Sequence, residues 1–250
     1  MIDQPSPLPA SVRLAWWGTA WLRGQVTPDE LIDAVVDQDA THLFSFDDAT
    51  GVEPLMTGLG RLRGEGADAL GAAVPAEGDP VGLGGPRAFN AAALEVGEAV
   101  VVLDAASFAL RGLVPERVGA AVTWRALPAE RRQLPDVGEA DRTLRTVLLG
   151  AADALAALDV ARWRPEVADA LMNLRHRAAL VAPPGVPTRC VDLAARGLQA
   201  LEIVELALVD DGGAVTALEA DTRRRALLPL GRAGRHALVA AASPEVWPPG

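Results

Sequence analysis

The chain has 250 residues, of which 50% are hydrophobic and 22% are charged, a composition typical of a globular protein with a sizeable core. Its formal net charge of -10 opposes the phosphate backbone of nucleic acids, so no nucleic-acid partner is predicted. The single cysteine excludes an intramolecular disulfide, and the sequence contains no uncharged apolar run of membrane-spanning length, so no membrane partner is predicted.

The amino-terminal sequence MIDQPSPLPA carries an acidic residue where a secretory signal would carry positive charge, so a cytoplasmic protein is predicted. All 23 basic residues are arginine, and the chain contains no lysine or tyrosine. Arginine, alanine and glycine have GC-rich codons, whereas lysine and tyrosine have AT-rich codons. The composition therefore indicates a bacterium with a high-GC genome.

Residues 1–10 are predicted to form a flexible tail, and residues 11–66 are predicted to be helical. The second helix has the clearest start, because Thr27 is the cap, Pro28 the first helical residue and Glu30 the third, as in a capping box. The apolar residues of a third amphipathic helix recur at helical spacing: Val52, Leu55, Met56, Leu59 and Leu62.

Residues 67–127 are predicted to form three to four short strands, because branched and alternating apolar residues dominate in ALGAAV, EAVVVLD, FALRGLV and AAVTWRA. Short connections separate the last three strands and favour an antiparallel meander. A helix is predicted between the first strand and the meander, with Pro86 near its start and Gly97 after its end.

Residues 135–242 are predicted to be helical again. The segment 189–209 is apolar nearly all round, which predicts the central helix of the fold, and Pro229 is predicted to kink or split the last helix. The fold class is therefore α+β: a small antiparallel sheet covered by amino-terminal and carboxy-terminal helices. No long linker interrupts the chain, so residues 11–250 are predicted to form a single compact domain.

Three of the six tryptophans lie close together in the first helix. At about 100° per residue, Trp17 and Trp21 share a stripe, whereas Trp16 faces elsewhere. Either the helix is sandwiched between two layers, or Trp16 contacts a partner; burial in the core is the commoner outcome for tryptophan. Because tryptophan and arginine anchor interfaces, five residues form a candidate interaction surface: Trp16, Arg23, Arg162, Trp163 and Arg164.

The loop 78–90 is rich in glycine and precedes a predicted helix, so its backbone amides are suited to bind an anion. It matches neither GxGxxG nor GxxxxGK[ST], and a tight turn is the alternative interpretation. The candidate ligand-binding residues are Gly82, Gly84, Gly85, Arg87 and Asn90.

No catalytic residue, metal site or cofactor is predicted. Cys190, beside Arg189 in a helical first turn, is either a stabilised thiolate or a buried inert thiol. Glu202 and Glu205 are three residues apart and fit either acid–base chemistry or a structural role. The three histidines are scattered without the spacing of metal ligands.

Two functional hypotheses follow. The first is a non-catalytic cytoplasmic interaction or regulatory protein that binds a protein partner or a second copy of itself. The second is a protein or enzyme that binds a small anionic ligand in loop 78–90. The sequence favours the first hypothesis, because it shows no nucleophile, acid–base pair or metal set.

Overall fold

The computed structural model describes residues 6–46, 51–157, 179–209 and 217–248. These residues form an α+β fold, as predicted, in which helices surround one sheet. The elements in chain order are α1 (Ala10–Leu22), α2 (Pro28–Val36), β1 (Thr41–Ser45), β2 (Glu53–Pro54), α3 (Leu55–Gly64), β3 (Ala69–Ala73), α4 (Arg87–Val96), β4 (Ala99–Leu103), β5 (Ala109–Val118), β6 (Ala121–Leu127), α5 (Val137–Ala157), α6 (Thr188–Val209), α7 (Ala217–Ala241) and a 3₁₀ turn (Pro244–Val246).

The sheet has six strands in the order β2-β1-β6-β5-β4-β3. Strands β4 to β6 form the predicted antiparallel meander, and β3, the first predicted strand, pairs antiparallel with β4. Strand β1 adds to it in parallel with β6, and β2 pairs antiparallel with β1. The sheet is therefore mixed, and the prediction of a purely antiparallel sheet of three to four strands was wrong.

The error comes from β1 and β2, which both lie inside the region 11–66 that was predicted to be helical. His42 and Phe44 are buried on one face of β1, while Thr41 is exposed. Five alternating residues between two helices give a weak local signal, and the strand depends on pairing with the distant β6. Such a non-local pairing leaves no mark in the neighbouring sequence.

Helix α2 begins where the sequence indicates, whereas α3 begins at Leu55, after Val52 of the predicted stripe. The Thr27 side chain accepts a hydrogen bond from the Glu30 backbone N–H, and Glu30 bonds back to the Thr27 N–H, so the predicted capping box at the start of α2 is confirmed. In α3 the buried stripe contains Leu55, Leu59 and Leu62.

Helix α1 is sandwiched between the sheet and the carboxy-terminal segment. Its residues are buried almost throughout, and Trp17 and Trp21 are half-buried. The Trp16 indole N–H donates to the Ala241 carbonyl oxygen at 3.1 Å. The central helix is therefore α1 rather than the predicted 189–209, since α6 (188–209) has one exposed side that includes Leu208.

Strand β3 lies at the edge of the sheet, yet its free polar groups have partners. The Thr19 hydroxyl accepts from the Leu70 N–H at 2.9 Å and donates to the Leu70 carbonyl at 3.1 Å. The Ala72 N–H donates to the Ala242 carbonyl at 2.9 Å, and Arg132 Nη1 donates to the Ala72 carbonyl at 2.8 Å. These contacts close an edge that would otherwise be open to a further strand.

Arg132 is buried and bonded through every nitrogen. Its Nε and Nη2 atoms bind the two carboxylate oxygens of Glu245 at 3.0 and 3.1 Å, and Nη2 also donates to the Ser243 hydroxyl. Nη1 bonds the carbonyls of Ala72 and Gly82. This guanidinium therefore joins β3, the glycine-rich loop and the carboxy-terminal turn.

Helices α6 and α7 cross at two glycines. A Cβ at Gly197 would lie 3.0 Å from the Gly234 carbonyl oxygen, so both positions require small residues. Helix α7 runs from residue 217 to residue 241 with Pro229 inside it, so of the two predicted outcomes the split does not occur, and the kink stays a prediction. Packing against α5 and α6 offsets the loss of the backbone hydrogen bond that proline removes.

The prediction that residues 11–250 form a single compact domain stays a prediction.

We expect Arg132→Met to lower the free energy of unfolding by about 3–5 kcal/mol, because it leaves the buried Glu245 carboxylate without its cation. The matched control is Arg125→Met. It breaks the Arg125–Glu116 pair, whose side chains are 35% and 44% exposed, and should cost at most about 1 kcal/mol. Urea unfolding of the wild type and the two variants measures both changes. Equal losses of unfolding free energy in the two variants would show that the buried Arg132–Glu245 pair is no more important than an exposed pair.

Candidate functional site

The predicted ligand loop is held by bonds within the protein. The Gly85 N–H donates to Asn90 Oδ1 at 3.0 Å, and the Gly85 carbonyl accepts from the Glu130 N–H at 2.9 Å. Gly85 and Asn90 thus lie close together, and the Gly85 N–H binds the Asn90 side chain. Arg87 is exposed and forms no ion pair with any residue that the structure describes.

The other two glycines of the loop allow close packing. Gly82 lies against Ala73, and its carbonyl accepts from Arg132 at 3.2 Å. A Cβ at Gly84 would lie 2.5 Å from the Arg131 carbonyl oxygen. Steric packing explains these glycines without a ligand. The anion-binding hypothesis stays a prediction that depends on Arg87 and the first turn of α4.

A buried carboxylate fixes the start of this loop to α7. Asp79 accepts from Arg235 Nε and Nη2 at 3.0 and 2.8 Å and contacts His236 Nε2 at 2.9 Å. Arg232 lies further away, at 3.5 Å. Sequence reasoning did not single out Asp79, although an aspartate in a loop beside an arginine-rich helix was a usable signal.

The predicted interaction residues do not form one surface in the described structure. Trp16 is fully buried, in agreement with the intramolecular alternative. Arg23 is exposed and pairs with Asp68 at 3.2 Å. The remaining members, Arg162, Trp163 and Arg164, lie outside the residues that the structure describes.

A buried ionic network lies beside the start of α1. The Trp124 indole N–H donates to His42 Nδ1 at 3.1 Å, so this ring nitrogen must be unprotonated and Nε2 carries the proton that faces Asp39 at 3.0 Å. Asp39 also binds Arg13 and Arg117 at 3.1 and 2.6 Å. The network thus holds a neutral histidine.

Electrostatics agree with this arrangement. Burial lowers the pKa of His42, although Asp39 opposes the shift. Burial also disfavours the charge of Asp39, but hydrogen bonds from His42 and Arg117 hold the pKa of Asp39 below its usual value. A neutral histidine beside an ionised aspartate resembles a catalytic pair, but His42 is 1% exposed, so substrate cannot reach it.

A cavity of about 400 Å³ adjoins this network, with walls that include Val96, Pro115 and Val122. Its charged groups are already paired. Glu98 accepts from the Ser11 N–H at 2.9 Å, Glu116 binds Arg125, and Arg117 binds Asp39. These pairs give the cavity a structural explanation.

The remaining reactive candidates have structural environments. Cys190 is fully buried, and burial raises its pKa to about 11 against the opposing charge of Arg189. Such a thiol is unreactive at neutral pH. Glu202 is half-buried and Glu205 is exposed on α6. In the parts of the chain that the structure describes, no cluster of histidine, cysteine, aspartate and glutamate is suited to hold a metal.

A second cavity, of about 380 Å³, lies at the opposite end of the sheet. We call it the Phe108 cavity. Apolar residues form much of its wall, Arg131 lines it together with the Arg132–Glu245 pair, and the Phe108 side chain is 58% exposed. The apolar lining consists of Leu103, Ala106, Phe108, Ala109, Leu134 and Val246.

The turn that carries Phe108 is held firmly. Asp104 Oδ1 accepts from the N–H groups of Ala106 and Phe108, both at 2.9 Å. The Asp104 N–H donates to the Phe108 carbonyl, and Ser107 adopts a left-handed φ of 63°. These hydrogen bonds fix the backbone of a turn that carries an exposed aromatic side chain. Sequence reasoning assigned FALRGLV to a strand and missed the site, although the aspartate of DAASF is a typical turn residue.

None of the helices in the described ranges is long and apolar enough to cross a lipid bilayer.

The fold and its sites thus define a mixed-sheet α+β protein without a recognisable catalytic centre among the described residues. Residues 11–138 match the N-terminal domain of the Rv1486c-like protein family, and residues 138–239 match its C-terminal domain. The chain therefore belongs to the Rv1486c-like family.

Two relatives match nearly the whole chain. The "Uncharacterized protein Rv1486c" of Mycobacterium tuberculosis strain H37Rv is 28% identical over 291 aligned positions, which cover 95% of this chain and 98% of the relative. The "Uncharacterized protein MT1533" of strain CDC 1551 gives the same identity and coverage. No solved structure matches the chain. Neither relative's name specifies an activity, so the function is unknown and is inferred from the structure.

We expect the stability of this protein to fall between pH 7.5 and 5.5, because the pKa of His42 is lowered in the folded state. Below the unfolded pKa of about 6.5 the unfolded chain binds a proton that the folded chain excludes, so stability falls by up to about 1.4 kcal/mol per pH unit until the folded pKa is reached. In His42→Gln this dependence should shrink. Urea midpoints at both pH values test this; an unchanged slope in the variant contradicts it.

We expect iodoacetamide to leave Cys190 almost unmodified in the native protein at pH 8, because the thiol is buried and its pKa is raised to about 11. Mass spectrometry after timed exposure measures the modified fraction. The same reaction in denaturing urea is the control and should reach completion. Rapid stoichiometric labelling of the folded protein would instead indicate an accessible thiolate.

Proposed function

We propose that this protein is a non-catalytic contact protein that binds a protein partner through the Phe108 cavity. The observation that carries the proposal is an exposed phenylalanine in a hydrogen-bonded turn, beside a cavity whose wall combines apolar and charged residues. Aromatic side chains anchor protein interfaces when they fill pockets. An anchor that is already ordered costs less conformational entropy on binding.

The ionisable groups of the described residues support a role in contacts rather than catalysis. The buried ones, Arg13, His42, Asp79 and Arg132, are bonded within the protein. An acid–base catalyst needs a titratable group within hydrogen-bonding reach of a substrate. In the Phe108 cavity, the Arg132 N–H groups donate to protein atoms. The apolar part of the wall and the exposed Arg131 side chain therefore remain available to contact a partner.

The compartment that we propose is the cytoplasm of a bacterium with a high-GC genome. The single cysteine is a buried free thiol, which suits a reducing compartment. The bacterial relatives support a bacterial source.

The second candidate function is binding of a small anionic ligand at loop 78–90. One observation favours it: Arg87 is exposed beside the amino terminus of α4, where Pro86 provides no side-chain cap. Against this, the loop glycines bond and pack internally, so the first candidate is preferred.

A photo-crosslinking residue at position 108 tests the contact function. With p-benzoylphenylalanine in place of Phe108, irradiation of living cells should yield a discrete crosslinked product that contains this chain and a protein partner. The matched control places the same residue at Val52, which is 55% exposed and lies outside the cavity. Products at position 108 that are missing at position 52 are expected, whereas no product from position 108 would refute the contact function.

A further inference from the structure

The Phe108 side chain is 58% exposed and also forms part of the wall of the Phe108 cavity, so each copy of this chain carries an exposed aromatic ring beside an opening on the same surface. We propose that the partner is a second copy of this chain, related by a two-fold axis, with each Phe108 inserted into the other copy's cavity. This inference rests on the proposed contact function. A two-fold contact uses one patch on both subunits, and that patch must be complementary to itself.

The size of the cavity agrees with this occupant. Its volume of about 380 Å³ lies near the lower end of ligand pockets, which span roughly 300–1,000 Å³. A cavity of this size has room for the ring of a phenylalanine, which Leu103, Leu134 and Val246 would contact on the apolar part of the wall.

The charges are complementary as well. Asp104 holds the turn that carries Phe108, so insertion of the ring brings this carboxylate to the mouth of the other copy's cavity. Arg131 lines that cavity, is exposed, and has no ion pair with any other described residue. The two-fold arrangement forms this pairing twice, once for each inserted ring.

The sheet edges do not offer a competing route to a dimer. The free edge of β3 is closed by Thr19, Arg132 and the Ala242 carbonyl. At the other edge, β2 has two residues and ends in Pro54, which lacks an N–H to donate. Of the contacts that the described surface offers, insertion of Phe108 into the other copy's cavity is therefore the one best supported.

Light scattering across a concentration series tests the proposal directly. The wild-type chain should shift with concentration from the mass of one chain to twice that mass. Phe108→Ser should dimerise at least about tenfold more weakly, because truncation of an aromatic anchor removes much of the binding energy. Arg131→Glu should also dimerise more weakly, because it places two carboxylates together. The control Val52→Ser should dimerise as the wild type does.

Circular dichroism melts of all variants confirm that they are folded, which is expected because Phe108 and Val52 are exposed. A wild-type chain that stays monomeric at every concentration overturns the homodimer, as does full dimerisation of folded Phe108→Ser. The crosslinking experiment separates the two proposals. A product with a different protein refutes the homodimer and leaves the contact function standing, whereas a product containing two copies supports both.

Discussion

The structure depends on satisfying the polar edge of a strand that lies in the interior. All five residues of β3 are buried, so water cannot bind the backbone groups that face away from β4. A hydroxyl from α1, a carbonyl that follows α7 and the Arg132 guanidinium take those positions. Because these groups come from three distant parts of the chain, closing one edge also fixes α1, the glycine-rich loop and the carboxy-terminal turn against the sheet.

Elements with local signals were predictable from the sequence, and elements with distant partners were not. Three elements could be recognised from a few neighbouring residues: the Thr27–Glu30 capping box, the antiparallel meander and the helix between Pro86 and Gly97. Strand β1 forms because β6 offers a parallel partner, which no local pattern reveals. Helix α7 could not be predicted from local sequence either. Proline disfavours a continuous helix, but packing against other helices keeps α7 unbroken at Pro229.

The aromatic residues explain why the candidate site was not predicted. Sequence periodicity located the Trp16 face correctly but left open whether a second layer or a partner covers it, and the carboxy-terminal segment proved to be that layer. Phe108 lies in an apolar run that was assigned to a strand, and its exposure follows from the Asp104 turn just before β5. The glycines of loop 78–90 were noticed because glycine also marks ligand loops, although close packing explains them here.

The closure of the β3 edge has a consequence for synthesis on the ribosome. Domains begin to fold from the amino terminus as the chain emerges, but β3 is made long before Ala242 and Glu245, which complete its edge. Until those residues are made, the Ala72 N–H lacks the Ala242 carbonyl, Arg132 lacks the Glu245 carboxylate and the Trp16 indole lacks the Ala241 carbonyl. The β3 edge can therefore be completed only after Ala242 and Glu245 have been synthesised.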